Sequence, residues 1–234
     1  MGLNASANYL VAGAKSWNRR VFDEVIARNP GHWHFISSTQ ELNEERLRAL
    51  EPRYIFFLHW SSRVPDEIIE HYNCVCFHMT DLPYGRGGSP LQNLIDRGHQ
   101  RTKLSALRMS HEIDAGPVYL KKELSLDGTA EEILLRASYL AAQMIEFIIK
   151  EDPVPVDQVG EVVLFKRRRP AESEIPKVNS LSSIYDFIRM LDGEGYPKAF
   201  LEQNGFRYEF SGARLSDDYL VANVVITPIK EKPQ

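Results

Sequence analysis

A histidine and an aspartate of this sequence have the chemistry and the surroundings of a catalytic pair. His78 ends the apolar run Cys74–Phe77, and a histidine gains and loses a proton near neutral pH. The loop Met79–Gly88 follows it and contains three glycines, which let the backbone approach a ligand closely. Asp114 stands in a later loop, from which a carboxylate can orient an imidazole ring. The sequence therefore predicts proton-transfer chemistry around His78.

A metal site in the same segment is the alternative that residue spacing can test. Cys74, Cys76 and His78 alternate along one predicted strand, so their side chains share one face. Four residues of strand separate the outer two by about 13 Å, too far for one ion to bind all three at about 2 Å. We therefore expect no metal ion. The two cysteines are poorly placed to bridge one another, which favours a reducing compartment.

Short apolar runs alternate with helical patterns through the first half of the chain. The segment Ser16–Arg28 predicts a helix, with Ser16 as its N-cap. Tyr54–His59 is a continuous apolar run, typical of a strand that is covered on both faces. Such alternation predicts an α/β fold with a Rossmann-like, mostly parallel sheet. Ligands of these sheets lie beyond the carboxyl ends of the strands, where His59 and His78 both fall.

The last third of the sequence has a different pattern. A long helix, capped by Thr129 and Glu132, stops before Pro153. The apolar runs beyond it are short, alternate with polar residues and are separated by turn formers, which is typical of strands. We therefore expect a catalytic domain over residues 1–155 and a small β-rich domain over residues 156–234. The predicted short runs are Val162–Phe165, Lys198–Leu201, Phe206–Phe210 and Leu220–Ile226, with one helix at Ser182–Leu191.

Charge and hydropathy disfavour several classes of protein. The 234 residues carry 28 Lys+Arg against 32 Asp+Glu, a net charge of −4. A protein that holds a long stretch of nucleic acid normally has a basic surplus, because phosphate neutralisation supplies most of the binding free energy. No apolar run approaches the roughly 20 residues that span a bilayer, and no secretory signal pattern is present. We expect a cytoplasmic protein that binds neither DNA nor a membrane.

The segment Cys76–Pro90, together with Asp114-Ala115-Gly116, resembles the motif of the folate-dependent formyltransferases. That motif runs Asn-x-His-x-Ser-x-Leu-Pro, continues as a glycine-rich loop with a proline, and has a later Asp-x-Gly. His78 matches the family histidine, Thr80 matches the serine, and Leu82-Pro83 matches the Leu-Pro pair. The resemblance implies the formyltransferase fold for the first part of the chain.

The same resemblance implies a reaction. The co-substrate 10-formyltetrahydrofolate would donate its formyl group to a substrate amine, which attacks the formyl carbon. His78 would accept or shuttle the proton of the amine. Asp114 would hold His78 in its productive state and help to protonate the departing folate nitrogen through water.

The ligand contacts also follow from the resemblance. The pterin ring would lie against Trp60, Arg63, Val64, Leu107, Arg108 and Ile113, with the backbone making most of the contacts. The amine substrate would contact the glycine-rich loop and the basic run after Phe165. That run has a second interpretation as a solvated surface, beside its possible contact with substrate phosphates. The substrate positions are Thr80, Tyr84, Arg86, Gly87, Gly88, Ser89, Pro90, Lys166 and Arg168.

Cys76 departs from the family motif, which has asparagine at this position. The family asparagine donates a hydrogen bond to the oxygen that becomes negative, and one such donor is worth roughly 3–4 kcal/mol. A thiol is a weak donor and does not replace an amide. Either another group, such as His59 or a backbone N–H, supplies the bond, or the chain is slow or inactive. A non-catalytic protein that binds folate or a nucleotide is therefore an alternative.

The identity of the amine rests on the C-terminal part. From residue 175 to the end there are 7 Lys+Arg and 8 Asp+Glu, whereas the tRNA-modifying members carry a larger, basic domain. Phe165–Pro170 looks like the arginine-rich element of the tRNA and nucleotide-sugar members. We expect a nucleotide-linked amino sugar, such as a UDP-4-amino-4,6-dideoxy-N-acetylhexose; methionyl-tRNA is the alternative. Family analogy also suggests a homodimer.

Overall fold

The computed structural model describes residues 6–229 and contains eleven strands and six α-helices within that range. The strands are β1 (Asn8–Ala12), β2 (His32–Ile36), β3 (Tyr54–Phe57), β4 (Cys74–His78), β5 (Tyr84–Gly87), β6 (Arg101–Arg108), β7 (Val118–Ser125), β8 (Val163–Phe165), β9 (Ala199–Gln203), β10 (Phe206–Leu215) and β11 (Leu220–Pro228). The helices are α1 (Ser16–Glu24), α2 (Glu44–Leu50), α3 (Asp66–His71), α4 (Pro90–Asp96), α5 (Ala130–Glu151) and α6 (Leu181–Arg189).

A six-stranded sheet forms the centre of the molecule, in the order β2-β1-β3-β4-β6-β7. The strands β1 to β4 are mutually parallel, whereas β6 runs antiparallel to both β4 and β7. This confirms the predicted α/β class with a mostly parallel sheet. The carboxyl ends of β1, β3 and β4 meet at one edge, so the sheet brings the residues that follow them together.

Apolar clusters cover both faces of the sheet. Leu10 and Ala12 of β1 face one cluster, which contains Leu47 of α2 and Ile68 of α3. Tyr9 and Val11 face the other cluster, to which α1 and α5 contribute. All four residues of β3 are buried, which explains why its sequence shows no alternation between apolar and polar residues.

Helix α1 differs from its prediction at both ends. It runs from Ser16 to Glu24, and a separate turn of 3-10 helix follows at Ile26–Arg28. The N-cap residue is Lys15, because the Ser16 hydroxyl donates to the carboxylate of Glu194 instead of capping the helix. The Asn18 side chain accepts a hydrogen bond from the Lys15 backbone N–H at 3.1 Å. Ser16 therefore joins the helix to a later loop, a contact that local sequence does not reveal.

The predicted loop Met79–Gly88 contains the strand β5, which pairs in parallel with β8. We predicted the run Val162–Phe165 as part of the β-rich C-terminal part. Its strand β8 instead pairs beside the glycine-rich loop, outside the C-terminal sheet. The partners lie about 80 residues apart in sequence, so periodicity along either segment could not reveal their pairing. The predicted division of the chain at residue 155 stays a prediction.

The C-terminal sheet is antiparallel, in the order β11-β10-β9. It shares an apolar cluster with the central sheet, since Phe187 of α6 and Ala199 of β9 pack into the cluster that contains α5. Arg189, with 7% of its surface exposed, donates to the Gly128 carbonyl at 2.9 Å just before α5. In the part of the chain that the structure describes, no helix is both long enough and apolar enough to cross a membrane.

The N-terminal cap of α5 can be tested directly. The Thr129 hydroxyl accepts from the Glu132 backbone N–H, and the Glu132 carboxylate accepts from the Thr129 N–H at 2.8 Å. We expect Thr129→Ala to lower the free energy of unfolding by about 1 kcal/mol, because the Glu132 N–H loses its acceptor. Urea unfolding measures this. Thr39→Ala is the control, since Thr39 is exposed and its side chain contacts only the neighbouring Gln40; an equal loss in both variants would contradict the prediction.

Candidate active site

His78 lies at the end of β4 with 8% of its surface exposed. Its Nε2 atom is 2.7 Å from the Gly85 carbonyl oxygen, and its Nδ1 atom is 3.4 Å from Oδ2 of Asp114. A carbonyl oxygen only accepts hydrogen bonds, so Nε2 carries a hydrogen. Nδ1 faces the Asp114 carboxylate, which can orient the ring. His78 is therefore held between the Gly85 carbonyl and a carboxylate.

The backbone fixes the position of Asp114. Its Oδ2 atom accepts from the Gly87 backbone N–H at 2.9 Å, and its own φ of 54° is left-handed. A side chain at Gly116 would overlap the carbonyl oxygen of Arg108, so the Asp-x-Gly turn needs glycine there. These contacts bring Asp114 to His78 across a separation of 36 residues.

The glycine-rich loop holds His78 from the other side. Gly87 has a φ of 106°, and an added Cβ would lie 2.5 Å from the Phe165 carbonyl oxygen of β8. Thr80 is fully buried beneath the loop, and its backbone carbonyl accepts from the Ser105 hydroxyl at 2.7 Å. The predicted substrate residue Thr80 therefore lies under the loop, and its side chain does not face solvent.

The predicted pterin positions fall into three groups of two. Val64 and Leu107 are core residues, so they offer a ligand backbone only. Arg63 is exposed and pairs with Asp66 at 3.0 Å, and Arg108 is also exposed. Two positions have features that a ligand could use. Trp60 has a buried indole Nε1 with no hydrogen-bond partner, and Ile113 exposes 74% of an apolar side chain next to Asp114.

The predicted substrate positions surround the strands β5 and β8. The Tyr84 hydroxyl is 3.1 Å from the His99 ring, and the Arg86 guanidinium donates twice to Gln158. The Ser89 hydroxyl accepts from the Arg168 backbone N–H at 3.0 Å, which joins the loop to the basic run. Gly87, Gly88 and Pro90 continue this segment into α4, and Lys166 is exposed at the end of β8. The structure brings these positions together, while several of their side chains already have protein partners.

Cys76 lies two residues before His78, with its side chain partly exposed. Burial by surrounding atoms and the nearby Asp114 carboxylate raise the pKa of the Cys76 thiol well above its ordinary value. The thiol therefore stays protonated at neutral pH and is a poor nucleophile. Within residues 6–229, no group of three or more His, Cys, Asp or Glu side chains is arranged to hold a metal ion.

His59 follows β3 at the neighbouring strand end, in a left-handed conformation with a φ of 48°. Its Nδ1 atom is 3.2 Å from the Asn18 amide nitrogen and 3.4 Å from the Ser138 hydroxyl. An amide nitrogen only donates, so Nδ1 accepts and the hydrogen of the ring lies on Nε2. Burial lowers the pKa of His59 to about 4, so the ring is neutral at physiological pH.

These contacts turn the His59 ring toward α1 and α5, whereas Cys76 packs with the cluster on the α2–α3 side of the sheet. The two side chains are therefore directed to opposite faces, which argues against His59 as the replacement for the missing asparagine. Sequence reasoning missed Asn18, Ser138 and Gln158, which fix His59 and the Asp114 loop. Each is an ordinary polar residue in a helix or loop, so its type gave no signal.

Comparison with known proteins places this geometry in a family. The family model described as "Methionyl-tRNA formyltransferase, C-terminal domain" matches residues 170–227. A solved structure named methionyl-tRNA formyltransferase from Clostridium thermocellum is 45% identical, with a TM-score of 0.92, over 95% of this chain and 99% of that chain. The chain belongs to the formyltransferase family. This confirms the family resemblance that the motif around His78 had suggested.

More distant relatives differ in length and name. The methionyl-tRNA formyltransferase of Thermodesulfovibrio yellowstonii is 26% identical over 62% of this chain and 50% of its own length. The chain thus spans about half the length of the curated relatives it matches. Two solved structures under 25% identical share the fold.

The first of these is HypX from Aquifex aeolicus in complex with tetrahydrofolic acid, 16% identical with a TM-score of 0.72 over 90% of this chain and 38% of that chain. The second is a sugar N-formyltransferase from Shewanella, 13% identical with a TM-score of 0.65 over 93% of this chain and 96% of that chain. The predicted nucleotide-sugar branch is therefore not confirmed, because the more similar proteins are named methionyl-tRNA formyltransferases.

The low pKa of His59 predicts a pH-dependent stability. The unfolded ring takes up a proton near its ordinary pKa, whereas the folded ring does so only near 4. The contribution of His59 to the free energy of unfolding is fully present above the pKa of the unfolded ring. It is lost as the pH falls toward 4. We expect a loss of at most about 2 kcal/mol between about pH 7 and pH 5.

Urea unfolding at both pH values measures the loss in the natural protein and in two variants. His59→Gln removes the titrating ring, so its stability should depend less on pH. His71→Gln is the control, because His71 is exposed and should leave the pH dependence unchanged. The same pH dependence in all three proteins would show that His59 is not responsible.

Proposed function

We propose that this protein is an N-formyltransferase that moves a formyl group from 10-formyltetrahydrofolate to a primary amine. The observation that carries the proposal is the contact of His78 with Asp114 and Gly85 at the carboxyl end of β4. This is the edge where parallel sheets bind ligands. Membership of the formyltransferase family supports the same activity.

The residues beside this pair fit the folate co-substrate. The buried indole N–H of Trp60 has no partner, and a heteroaromatic ring could accept a hydrogen bond from it. The exposed side chain of Ile113 offers apolar cover next to Asp114. Leu107 and Val64 would contribute backbone groups, because their side chains belong to the core. The bound folate supplies the activated formyl group.

The reaction requires one proton to leave the amine and one to reach the folate nitrogen, while a C–N bond forms and another breaks. The His78–Asp114 pair can carry this proton, because its ring and carboxylate lie 3.4 Å apart. In its protonated state, the His78 ring also stabilises negative charge that develops on the formyl oxygen. Asp114 orients the ring, and the Gly87 N–H keeps Asp114 in place.

Cys76 is where this site departs from the family, and it predicts a gain of function. Since the thiol is a weak donor, we expect Cys76→Asn to raise kcat by roughly 100-fold, the effect of adding one donor to an oxyanion site. Cys76→Ala should change kcat by less than about threefold, because little is lost. Steady-state kinetics with both variants decides this. If Cys76→Asn leaves kcat unchanged, a backbone N–H or another group already supplies the bond.

Methionyl-tRNA is the first candidate for the amine. The protein from Clostridium thermocellum that bears this enzyme's name is 45% identical over nearly the full length of both chains. The family model of the C-terminal part, over residues 170–227, carries the same name. These names support a tRNA acceptor, whereas our expectation from charge was against one.

A nucleotide-linked amino sugar is the second candidate, favoured by charge. The C-terminal part of the chain is close to neutral, with 7 Lys+Arg and 8 Asp+Glu after residue 174. A tRNA ligand would be held mainly by Lys and Arg contacts to phosphate. The exposed Lys166 is suited to the fewer phosphates of a nucleotide sugar.

Parallel assays with two classes of acceptor test the activity and the acceptor together. Purified protein is mixed with 10-formyltetrahydrofolate and either methionylated initiator tRNA or a panel of UDP- and dTDP-4-amino sugars. Mass spectrometry detects the product, and His78→Asn and Asp114→Asn serve as inactive controls. We expect a formylated product with one acceptor class and a loss of at least about 100-fold in both controls.

The outcomes separate the alternatives. Product with tRNA only assigns the first acceptor, and product with a sugar only assigns the second. If folate binds but no acceptor is formylated, the protein is a non-catalytic relative and the proposal is wrong. Equal product with the natural protein and with His78→Asn would remove His78 from the mechanism.

A further inference from the structure

We propose that Gln158 is a positioning residue for formyl transfer, which locks the loop that carries Asp114 to the glycine-rich loop that holds His78. Gln158 lies in residues 152–162, which join α5 to β8 and which we call the strap. The inference rests on the proposed function, in that it assigns a role within the same site. It also gives a structural task to the segment in which we predicted the boundary between the two domains.

The Gln158 amide uses its full hydrogen-bonding capacity on the two loops. Its Nε2 atom donates to the carbonyl oxygens of Asp114 and Gly116, both at 2.8 Å. Its Oε1 atom accepts from Nε and Nη2 of Arg86, at 3.1 and 2.9 Å. An amide group has two N–H donors and one oxygen with two lone pairs, so each is matched. One side chain therefore joins both ends of the Asp-x-Gly turn to the centre of β5.

The strap is anchored on both sides of Gln158. Val156 exchanges two backbone hydrogen bonds with Val118 of β7, at 2.8 and 2.9 Å. Beyond Gln158, the Val163 N–H reaches the Pro83 carbonyl at 3.4 Å where β8 begins. The neighbouring side chains of Asp157 and Val159 are exposed, while Gln158 turns inward. This anchoring presets the amide, so little freedom is lost when it binds the loops.

Gln158 joins the same two loops that the contacts of His78 and Asp114 join. Arg86 lies between Gly85, whose carbonyl accepts from His78, and Gly87, whose N–H donates to Asp114. The left-handed backbone of Asp114 is a conformation that non-glycine residues rarely adopt, so surrounding contacts must hold it. Gln158 binds the carbonyl of that same residue. Without it, the turn is free to relax and to move the carboxylate away from Nδ1 of His78.

Arg86 already has protein partners, and its predicted contact with substrate stays a prediction. Two of its donors go to Gln158, and a third lies 3.4 Å from the Glu112 carboxylate. Only 12% of its side chain is exposed. Its guanidinium is thus part of the same connection between the two loops, and its charge is matched by protein groups.

Two substitutions test the role of Gln158. Gln158→Met keeps the size of the side chain and removes every hydrogen bond. Gln158→Glu keeps an acceptor for Arg86, removes the donors to the two carbonyls and adds a negative charge near Asp114. Val159→Ala is the matched control, because this neighbour in the strap is 88% exposed. Circular dichroism and thermal unfolding establish that each variant folds.

For Gln158→Met, we expect kcat to fall by roughly 30-fold, because misplacement of a reacting group by about 1 Å lowers the rate by up to about 100-fold. We expect KM for folate and for the amine to stay within about threefold of the natural values. For Gln158→Glu, we expect a similar fall in kcat. The acidic limb of its pH–rate profile should also move to higher pH, because the added charge favours the protonated state of the pair. Val159→Ala should match the natural protein in all of these. A rise in both KM values with kcat unchanged would overturn the proposal.

A second readout needs no turnover and therefore separates this proposal from the proposed function. The ¹⁵N and ¹H signals of the His78 ring report its contact with the Asp114 carboxylate. We expect them to change in Gln158→Met and Gln158→Glu and to stay as in the natural protein in Val159→Ala. If no acceptor is ever formylated but these signals change, the positioning role stands and only the function fails. Unchanged His78 signals in folded Gln158 variants would overturn the positioning role.

Discussion

The contact between Nδ1 of His78 and Oδ2 of Asp114 is the interaction on which the candidate site depends. The two residues are 36 positions apart and lie on different loops, so the contact exists only if both loops fold against each other. Three features make this possible. The strand β4 ends at His78, the glycine at position 87 lets β5 approach β8, and Asp114 adopts a left-handed backbone. Each of them costs backbone freedom, which the surrounding hydrogen bonds must offset.

Two histidines follow neighbouring strands of the sheet and have opposite electrostatic surroundings. His78 faces a carboxylate and a carbonyl oxygen, both of which accept hydrogen bonds. His59 faces an amide N–H and a hydroxyl in an apolar surrounding, which lowers its pKa to about 4. The same side chain is therefore suited to carry a proton at one strand end and to remain neutral at the next. The difference comes from the elements packed on each face of the sheet and not from the strands themselves.

The C-terminal part of the chain takes part in building the site. Strand β8 pairs with β5, and the Phe165 carbonyl lies where a side chain at Gly87 would stand. The strap before β8 supplies Gln158, and the basic run after it is joined to the loop through Ser89. Because one apolar cluster also spans both parts, the packing of the C-terminal elements and the geometry of His78 are coupled.

Local sequence was enough to predict the α/β class, the strand Cys74–His78, the cap at Thr129 and Glu132, and the two residues of the candidate pair. These follow from local composition, from residue type and from a motif whose spacing is kept in the chain. Contacts between distant segments set the N-cap of α1, the strand β5 and the partners of His59. They also set the place of Gln158, whose bonds to Arg86 join residues 72 positions apart. Periodicity reports which face of an element is buried, but it carries no information about which distant polar group meets it there.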